Sequence, residues 1–430
     1  MFMRTRKHGL LVVVAASFLL LAPFSQVLAD DDAKIRVMTQ NQYLGADLAP
    51  IVSAGNDPGA FNSAVIVALQ SISANDYPER VEALAKTIAK KKPHIVALQE
   101  MWAFGCTPTS STIQDPCGLF GPAFNDHVTA TLEALNAHGA KYYKAGTVQN
   151  LTIVEAGFPV PGVPVFLDND LEPDIFVTVI DRDVILARRD VDTEKVNYLC
   201  ARPSMDGCNF ENVAEASLGG NPLRIERGFV AVDAVLKGDT YRVVNTHLEV
   251  RFPDPDNLLS RIFQSLQATE LLGTLAYQAA PPDTKLLLLG DINSDPNDPY
   301  PSMDSGPFLT PYQQFATGLT WDGAQLPLVL QDVWTLQRKQ NPGFTCCEAA
   351  DLRNELSINE RRVDVIFSAS SPDKVKAKVL NTRPKDKTMS GLWPSDHATV
   401  IAELKFDDDD SSDDDSSDDN DKGHKSGHDD

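Results

Sequence analysis

The stretch "KLLLLGDINSDP", Lys285 to Pro296, restricts what this chain can fold into more than any other. Four consecutive leucines offer no polar side to water, so an extended backbone there must be buried on both faces, between two apolar layers. The run ends in Gly290, Asp291 and Asn293. Two side chains two positions apart on a strand point the same way, so Asp291 and Asn293 share a face. A turn would use the same residue types. Whether more than a turn is involved depends on how the other strands end.

Strand-like segments recur along the chain: "IRVMTQNQYL", "HIVALQE", "DIFVTVIDRDVILARRDV", "GFVAVDAVLKGDTYRVVNTHLEV", "RRVDVIFSAS" and "ATVIAELKF". Several alternate with period two, and "AVLKGDTYRVV" reads as two strands about a tight "KGDT" turn. The pattern predicts mixed, partly antiparallel sheets rather than a doubly wound parallel one. Helices are predicted at about 78–92, with Val81, Leu84, Ala85, Ile88 and Ala89 on one face, and at about 257–278, with Leu259, Ile262, Phe263 and Leu266 on one face. Polar, Pro/Gly-rich stretches at about 103–125 and 146–224 are expected to be loop insertions at one end of the sheets. No internal repeat or long flexible linker divides residues 33–406, which are expected to form one domain.

The ends of the chain are different material. Residues 1–29 carry Arg4, Arg6 and Lys7, then the apolar run "LLVVVAASFLLL", too short to span a bilayer, then "VLA" before Asp30. That is the layout of a signal peptide, and the mature chain is expected to be secreted, extracellular or periplasmic, with no stable membrane insertion after cleavage. Residues 407–430 hold 12 Asp against 2 Lys and no residue that could join a core, which predicts a disordered acidic tail. The tail lacks the glycine and terminal glutamate of an EF-hand loop. With the leader's +3 and the tail's −10 set aside from the overall −22, residues 30–406 carry −15. Unspecific grip on nucleic acid normally comes with a basic surface, so any such contact here must be local or metal-assisted.

Six cysteines fall as Cys106 with Cys117, Cys200 with Cys208, and the adjacent Cys346 and Cys347. Short-range disulfides are expected for the first two pairs of an exported protein. Adjacent cysteines bridge each other only in a constrained ring, which leaves Cys346 and Cys347 open between a vicinal bond and other partners.

The strand ends answer the opening question. Asn41, Glu100, Asn245 and His247, Asp291 and Asn293, Asp364, and Asp396 with His397 stand at or beside the ends of six strands. Function gathers where strands end and loops begin, and these residues supply hard oxygen ligands for a divalent metal, a histidine that an aspartate can orient, and donors for a phosphoryl oxygen. The motifs "QNQYLG", "LQE", "NTHLE", "GDIN", "RVDVIF" and "SDH" resemble, in order and rough spacing, those of the endonuclease/exonuclease/phosphatase superfamily. The resemblance covers about 35–405, and the family includes DNases, abasic-site endonucleases, inositol-phosphate 5-phosphatases and bacterial sphingomyelinases.

The resemblance implies an α/β fold, a DNase I-like four-layer sandwich of two mixed, largely antiparallel β-sheets packed together and flanked by helices. It also implies a metal-dependent phosphoric ester hydrolase using Mg2+, or Mn2+ or Ca2+. Glu100 would bind the metal with Asn41 at or next to it, and Asp396 would support it. His397 would activate the attacking water with Asp364 orienting the imidazole. Asp291 and Asn293 would position water and scissile phosphate, and His247 would donate to a non-bridging oxygen. The expected partner is a phosphoester: nucleic acid, a phospholipid head group or a small phosphodiester. The chain is expected to act as a monomer. A nuclease-like phosphodiesterase fits the charge best. A sphingomyelinase-type lipid phosphodiesterase and an inositol-phosphate-type phosphatase are alternatives, although Trp321, Trp334 and Trp393 are dispersed and make no membrane-inserting hairpin. A degenerate, non-catalytic binding module is the alternative outside enzymes.

Overall fold

The computed structural model describes residues 34–153, 162–168, 170–218, 221–251, 258–303, 306–321, 324–338 and 341–406; the leader and the acidic tail lie outside the described residues. Along the chain come β1 (Lys34–Asn41), α1 (Pro58–Ala74), α2 (Tyr77–Lys91), β2 (Ile95–Gln99), β3 (Ala103–Pro108), α3 (His127–Ala137) and β4 (Tyr142–Thr152). Then follow β5 (Ile175–Arg188), β6 (Gly228–Leu236), β7 (Asp239–His247), α4 (Leu259–Tyr277), β8 (Thr284–Asp291), α5 (Pro311–Thr317), β9 (Asp364–Ser368), β10 (Lys374–Leu380) and β11 (Thr399–Lys405).

One sheet runs β10-β11-β1-β2-β5-β3, with β4 along the free edge of β5. The other is built on β9-β8-β7-β6. Each is antiparallel except for one parallel pair near its middle, β1 with β2 and β7 with β8. The two sheets pack face to face through Val37, Ile95, Ala97 and Ile185 on one side and Val230, Val243, Leu287, Leu289 and Ile366 on the other. Outside the first sheet, α2 and α3 cover Met38, Val96, Leu98 and Leu186. Outside the second, α4 and α5 cover Val244, Leu286, Leu288 and Phe367. The four leucines thus divide two and two between the inter-sheet core and the helix layer, which is why the run needs no polar face. The result is the four-layer α/β sandwich that the motifs imply.

The stretch at 146–224 is not a loop insertion. It holds the end of β4 and all of β5, the spine of its sheet, whose first half pairs with β3 and second half with β2. The strand expected at "DIFVTVIDRDVILARRDV" is there, and the polar loops on either side of it are what make the whole stretch read as an insertion. Likewise 103–125 begins with β3 and is closed by the Cys106–Cys117 disulfide. Cys200–Cys208 forms as expected, and Cys346 bonds to Cys347. Three helices share one start signal, an Asn-Asp pair in which the aspartate caps: Asp57 accepts from Gly59 and Ala60, Asp76 from Glu79, and Asp126 from Thr129. Only α2 of these was legible from periodicity, because α1 is apolar around much of its circumference and α3 is short.

Candidate active site

Parallel pairing in the middle of each sheet brings two strand C-termini to the same edge: Asn41 and Glu100 from β1 and β2, His247 and Asp291 from β7 and β8. Gly290 makes the second possible. Its φ is +148°, and a Cβ there would collide with the Thr246 carbonyl oxygen on β7. Beyond it Asp291 Oδ1 accepts the Asn293 N–H at 2.9 Å, and Asn293 sits at φ +50°. Tyr43 and Glu100 are also left-handed, at φ +55° and +57°. Non-glycine residues in that region cost energy and collect at functional sites.

Asp364 opens β9 directly opposite Asp291, and His397 lies two residues before β11 of the other sheet. The His397 Nδ1–H donates to Asp364 Oδ2 at 2.8 Å, so this buried pair spans the two sheets. Asp364 Oδ1 is buried with no hydrogen-bond partner among the described residues. Asp291 Oδ2 lies 3.7 Å from the same nitrogen and accepts from Asn41 Nδ2 at 3.1 Å. Burial works against charge on His397, but Asp364, Asp291 and Asp396 outweigh it and hold the imidazole's pKa well above its ordinary value.

His247 stands on the other flank of Asp291, its Nε2 3.5 Å from Oδ2. Arg227 donates to His247 Nδ1 at 3.1 Å, which leaves the proton on Nε2, facing the site. Burial, then Arg227, then His397 push this imidazole well below its ordinary range, so it is neutral. Arg227 is itself buried among Glu249, Asp181 and Asp183. Burial, partly offset by Arg227, raises Asp181 to about 6. Asn293 Nδ2 donates to the Leu248 carbonyl at 3.1 Å and lies 3.2 Å from His247 Nε2.

The acidic side of the site is short of positive charge. Burial, opposed by His397 and reinforced by Glu100, raises Asp396 to about 7. Burial and Asp364, opposed by His397, raise Asp291 to about 6. A donor set of carboxylate oxygens with uncompensated negative charge fits a hard divalent cation of the magnesium, manganese or calcium class. The resemblance assigns the ion to Glu100 with Asp396 in support, and among the described residues Asp291 and Asp364 offer carboxylate oxygens within 4.8 Å of one another and of a ring nitrogen of His397. Asn41 meets Glu100 Oε1 through its amide nitrogen, at 3.1 Å, because its oxygen accepts the Tyr43 N–H at 2.9 Å. Asn41 therefore orients two carboxylates, Glu100 and Asp291, rather than offering an oxygen of its own.

Two buried polar devices hold this edge. Gln99 Nε2 donates to Asn245 Oδ1 at 2.6 Å, and Asn245 Nδ2 donates to the Leu98 and Val184 carbonyls at 3.0 and 3.1 Å, bolting the sheets together behind the site. Arg80 of α2 donates to the carbonyls of Asn75, Gln42, Tyr43 and Pro394, at 2.8 to 3.1 Å, tying the loop after β1 to the loop before His397. Sequence reading placed Asn41, Glu100, His247, Asp291, Asn293, Asp364, Asp396 and His397, and the structure gathers all of them here. It missed Arg227 and Arg80, which belong to no motif, and did not see that Asp181 and Asp183, in "VIDRDV", turn inward toward Arg227.

The architecture and the edge at which these residues meet are those expected from the resemblance of the motifs to the endonuclease/exonuclease/phosphatase superfamily. No family model and no curated protein matches the chain. Among solved structures it is similar to an endonuclease/exonuclease/phosphatase from Beutenbergia cavernae, at 18% identity and TM-score 0.45 over 87% of this chain and 72% of that one. A family protein from Leptotrichia buccalis gives 14% and 0.45 over 86% and 100%. The human Nocturnin catalytic domain gives 17% and 0.42 over 87% and 94%. At these values the likeness says nothing about activity, which rests on the side chains described above.

Proposed function

We propose that the chain is a divalent-metal-dependent hydrolase of phosphoester bonds, nuclease-like in acting on phosphodiesters, and that it is exported with loss of residues 1–29. The observation that carries the reading is the His397–Asp364 pair, 2.8 Å across two sheets and beside Asp291, with a neutral His247 on the far flank. When bound at Glu100 and Asp396, a divalent ion would draw charge from the non-bridging phosphate oxygens and, by neutralising Asp396, ease loss of the second proton of His397.

The chain's own groups account for the rest. Asp364 fixes the imidazole with its proton on Nδ1, leaving Nε2 to accept a proton from water. The water oxygen bonds to phosphorus, the bond to the leaving oxygen breaks, and that oxygen takes a proton from solvent. Asp291, held between Asn41 and the Asn293 backbone, orients the water. His247 Nε2–H and Asn293 Nδ2 donate to the phosphoryl oxygens. The −15 charge on residues 30–406 favours substrates gripped at the scissile phosphate over long tracts held by a basic surface. Presence of every member of the set supports an enzyme over a degenerate binding module.

The test is hydrolysis of double-stranded DNA, RNA, sphingomyelin, an inositol polyphosphate and bis-p-nitrophenyl phosphate, with magnesium and with EDTA, beside His397→Ala. The expected result is metal-dependent release from a phosphodiester, lowered by about 10²–10⁴-fold in the variant, the usual contribution of a general base. An unaltered rate in EDTA would sink the metal mechanism, and release from sphingomyelin or inositol polyphosphate alone would reassign the substrate.

A further inference from the structure

The bonded cysteines Cys346 and Cys347 lie against this site, yet the proposed reaction gives them no task. Their backbone is tied to both halves of the His–Asp pair. Cys346 exchanges hydrogen bonds with Arg361 at 3.0 and 3.1 Å, the neighbouring Thr345 Oγ1 accepts from the Asp364 N–H at 3.2 Å, and Ala398 donates to the Thr345 carbonyl at 2.7 Å. Cys347 Sγ reaches to 3.9 Å from His397 Nε2, the nitrogen to which the proposed reaction gives the proton of water. The two sulfurs and a ring nitrogen of His397 all lie within 4.8 Å of one another. Cys346 is buried and Cys347 exposed, so a reductant has access from one side.

We propose that reduction of the Cys346–Cys347 bond creates a site for a soft divalent cation of the zinc class, held by the two thiolates and His397 Nε2, and that its occupation stops hydrolysis. Zinc takes thiolate sulfur at about 2.3 Å and imidazole nitrogen at about 2.0–2.1 Å in a tetrahedron, which sets neighbouring ligand atoms roughly 3.5–4 Å apart. The sulfur–nitrogen contact already has that length. Sulfur and imidazole select zinc, whereas the carboxylates of Glu100 and Asp396 suit magnesium, so the two ions are sorted by donor chemistry. With the disulfide intact there is no thiolate and no site. A phosphine reductant balances the step: phosphorus attacks one sulfur, the S–S bond accepts two electrons, and water gives its oxygen to the phosphine oxide and its two protons to the thiols. Metal binding then releases the thiol protons.

The inhibition rests on the function proposed above; the binding does not. The experiment uses the full mature chain, metal-stripped, with and without a phosphine reductant and without air, titrated with Co2+ and then Zn2+. Reduced protein is expected to develop thiolate-to-cobalt charge-transfer absorption that zinc abolishes. Oxidised protein should not, nor should reduced Cys346→Ser/Cys347→Ser, which keeps the other four cysteines. Zinc should lower magnesium-supported hydrolysis by about 10²-fold or more in reduced protein, as capping a general base would, and leave oxidised protein and the double variant at their starting rates. Cobalt absorption that is absent in reduced wild type, or unchanged in the double variant, overturns the site; if that variant does not fold, the single Cys347→Ser takes its place. Absorption without inhibition overturns the control of catalysis. A protein that hydrolyses nothing would refute the earlier reading and leave the cobalt arm to decide this one.

Discussion

His247 and His397 flank one carboxylate, with ring nitrogens 3.5 and 3.7 Å from Asp291 Oδ2, and both are buried. Burial alone would make both neutral. What separates them is the third neighbour: Arg227 at 3.1 Å from His247, Asp364 at 2.8 Å from His397. One imidazole is thereby kept uncharged with its proton toward the site, and the other is kept rich in protons and aimed by a carboxylate. Two identical side chains acquire opposite duties from the charge behind them, a division found where a single fold runs acid and base chemistry together.

The largest effect should come from erasing the orienting carboxylate. Asp364→Asn leaves the size of the group but favours the wrong tautomer of His397, and hydrolysis should fall by about 10²–10⁴-fold in a protein that still folds. A retained rate would mean that the pair across the sheets is structural only. Removing the other neighbour should act first on stability. Arg227→Met abandons Asp181, Asp183 and Glu249 around an empty cationic position and should cost about 3–5 kcal/mol in denaturant unfolding, the range for breaking a buried charge cluster. It should also raise the His247 pKa, visible in the imidazole resonances of metal-free protein, while leaving His397 where it was.

A smaller effect separates the acidic side from the histidines. Glu100→Gln should raise the magnesium concentration needed for half-maximal rate by about tenfold or more, the usual cost of losing a supporting metal group, without moving either imidazole resonance out of its class. Smallest of all is the pH dependence of stability in metal-free protein. The pKa of His397 is raised, so its contribution is complete below about 6.5 and fades as pH climbs through the folded value. That of His247 is lowered, so the native state refuses a proton that the unfolded chain accepts, and stability drops as pH falls below about 6.5. Replacing each histidine by glutamine should flatten opposite limbs of the melting-temperature profile; flattening of the same limb by both would erase the distinction between them.

The two histidines also show how much of the molecule can be read from its letters. "NTHLE" and "SDH" sit at strand ends, and strand ends are local facts: a run of apolar residues stops and a polar residue begins. The leucine run, the six motifs and the helices at 78–92 and 257–278 are legible for that reason, although the stripe read in α4 is not its core face: Leu259 and Leu266 are exposed, and Leu271, Leu272 and Leu275 pack inward. The charge behind each histidine is not local. Asp364 could be anticipated because it stands within its own strand motif, but Arg227 precedes β6 as an ordinary basic residue at the start of an apolar strand, and only packing against β5 and β7 gives it Asp183 and His247 as neighbours. Arg80 is hidden likewise, a charged residue on a helix whose visible stripe is Val81, Leu84, Ala85 and Ile88. β5 went unread as the spine of a sheet since its neighbours on both edges, β3 and β4, are set by tertiary contacts.

The placement of His397 has a consequence in time as well as in space. β11 inserts between β10 and β1, so the last strand of the described chain completes the sheet that the first one opens. A chain that stops at residue 390 has Asn41, Glu100, His247, Asp291 and Asp364 but lacks His397 and the strand that pairs β1 with β10. Competence therefore requires the C-terminal strand in place between β10 and β1. Chains released early would be inert rather than partly active, and regain of hydrolysis on refolding should follow, never precede, closure of the two sheets upon each other.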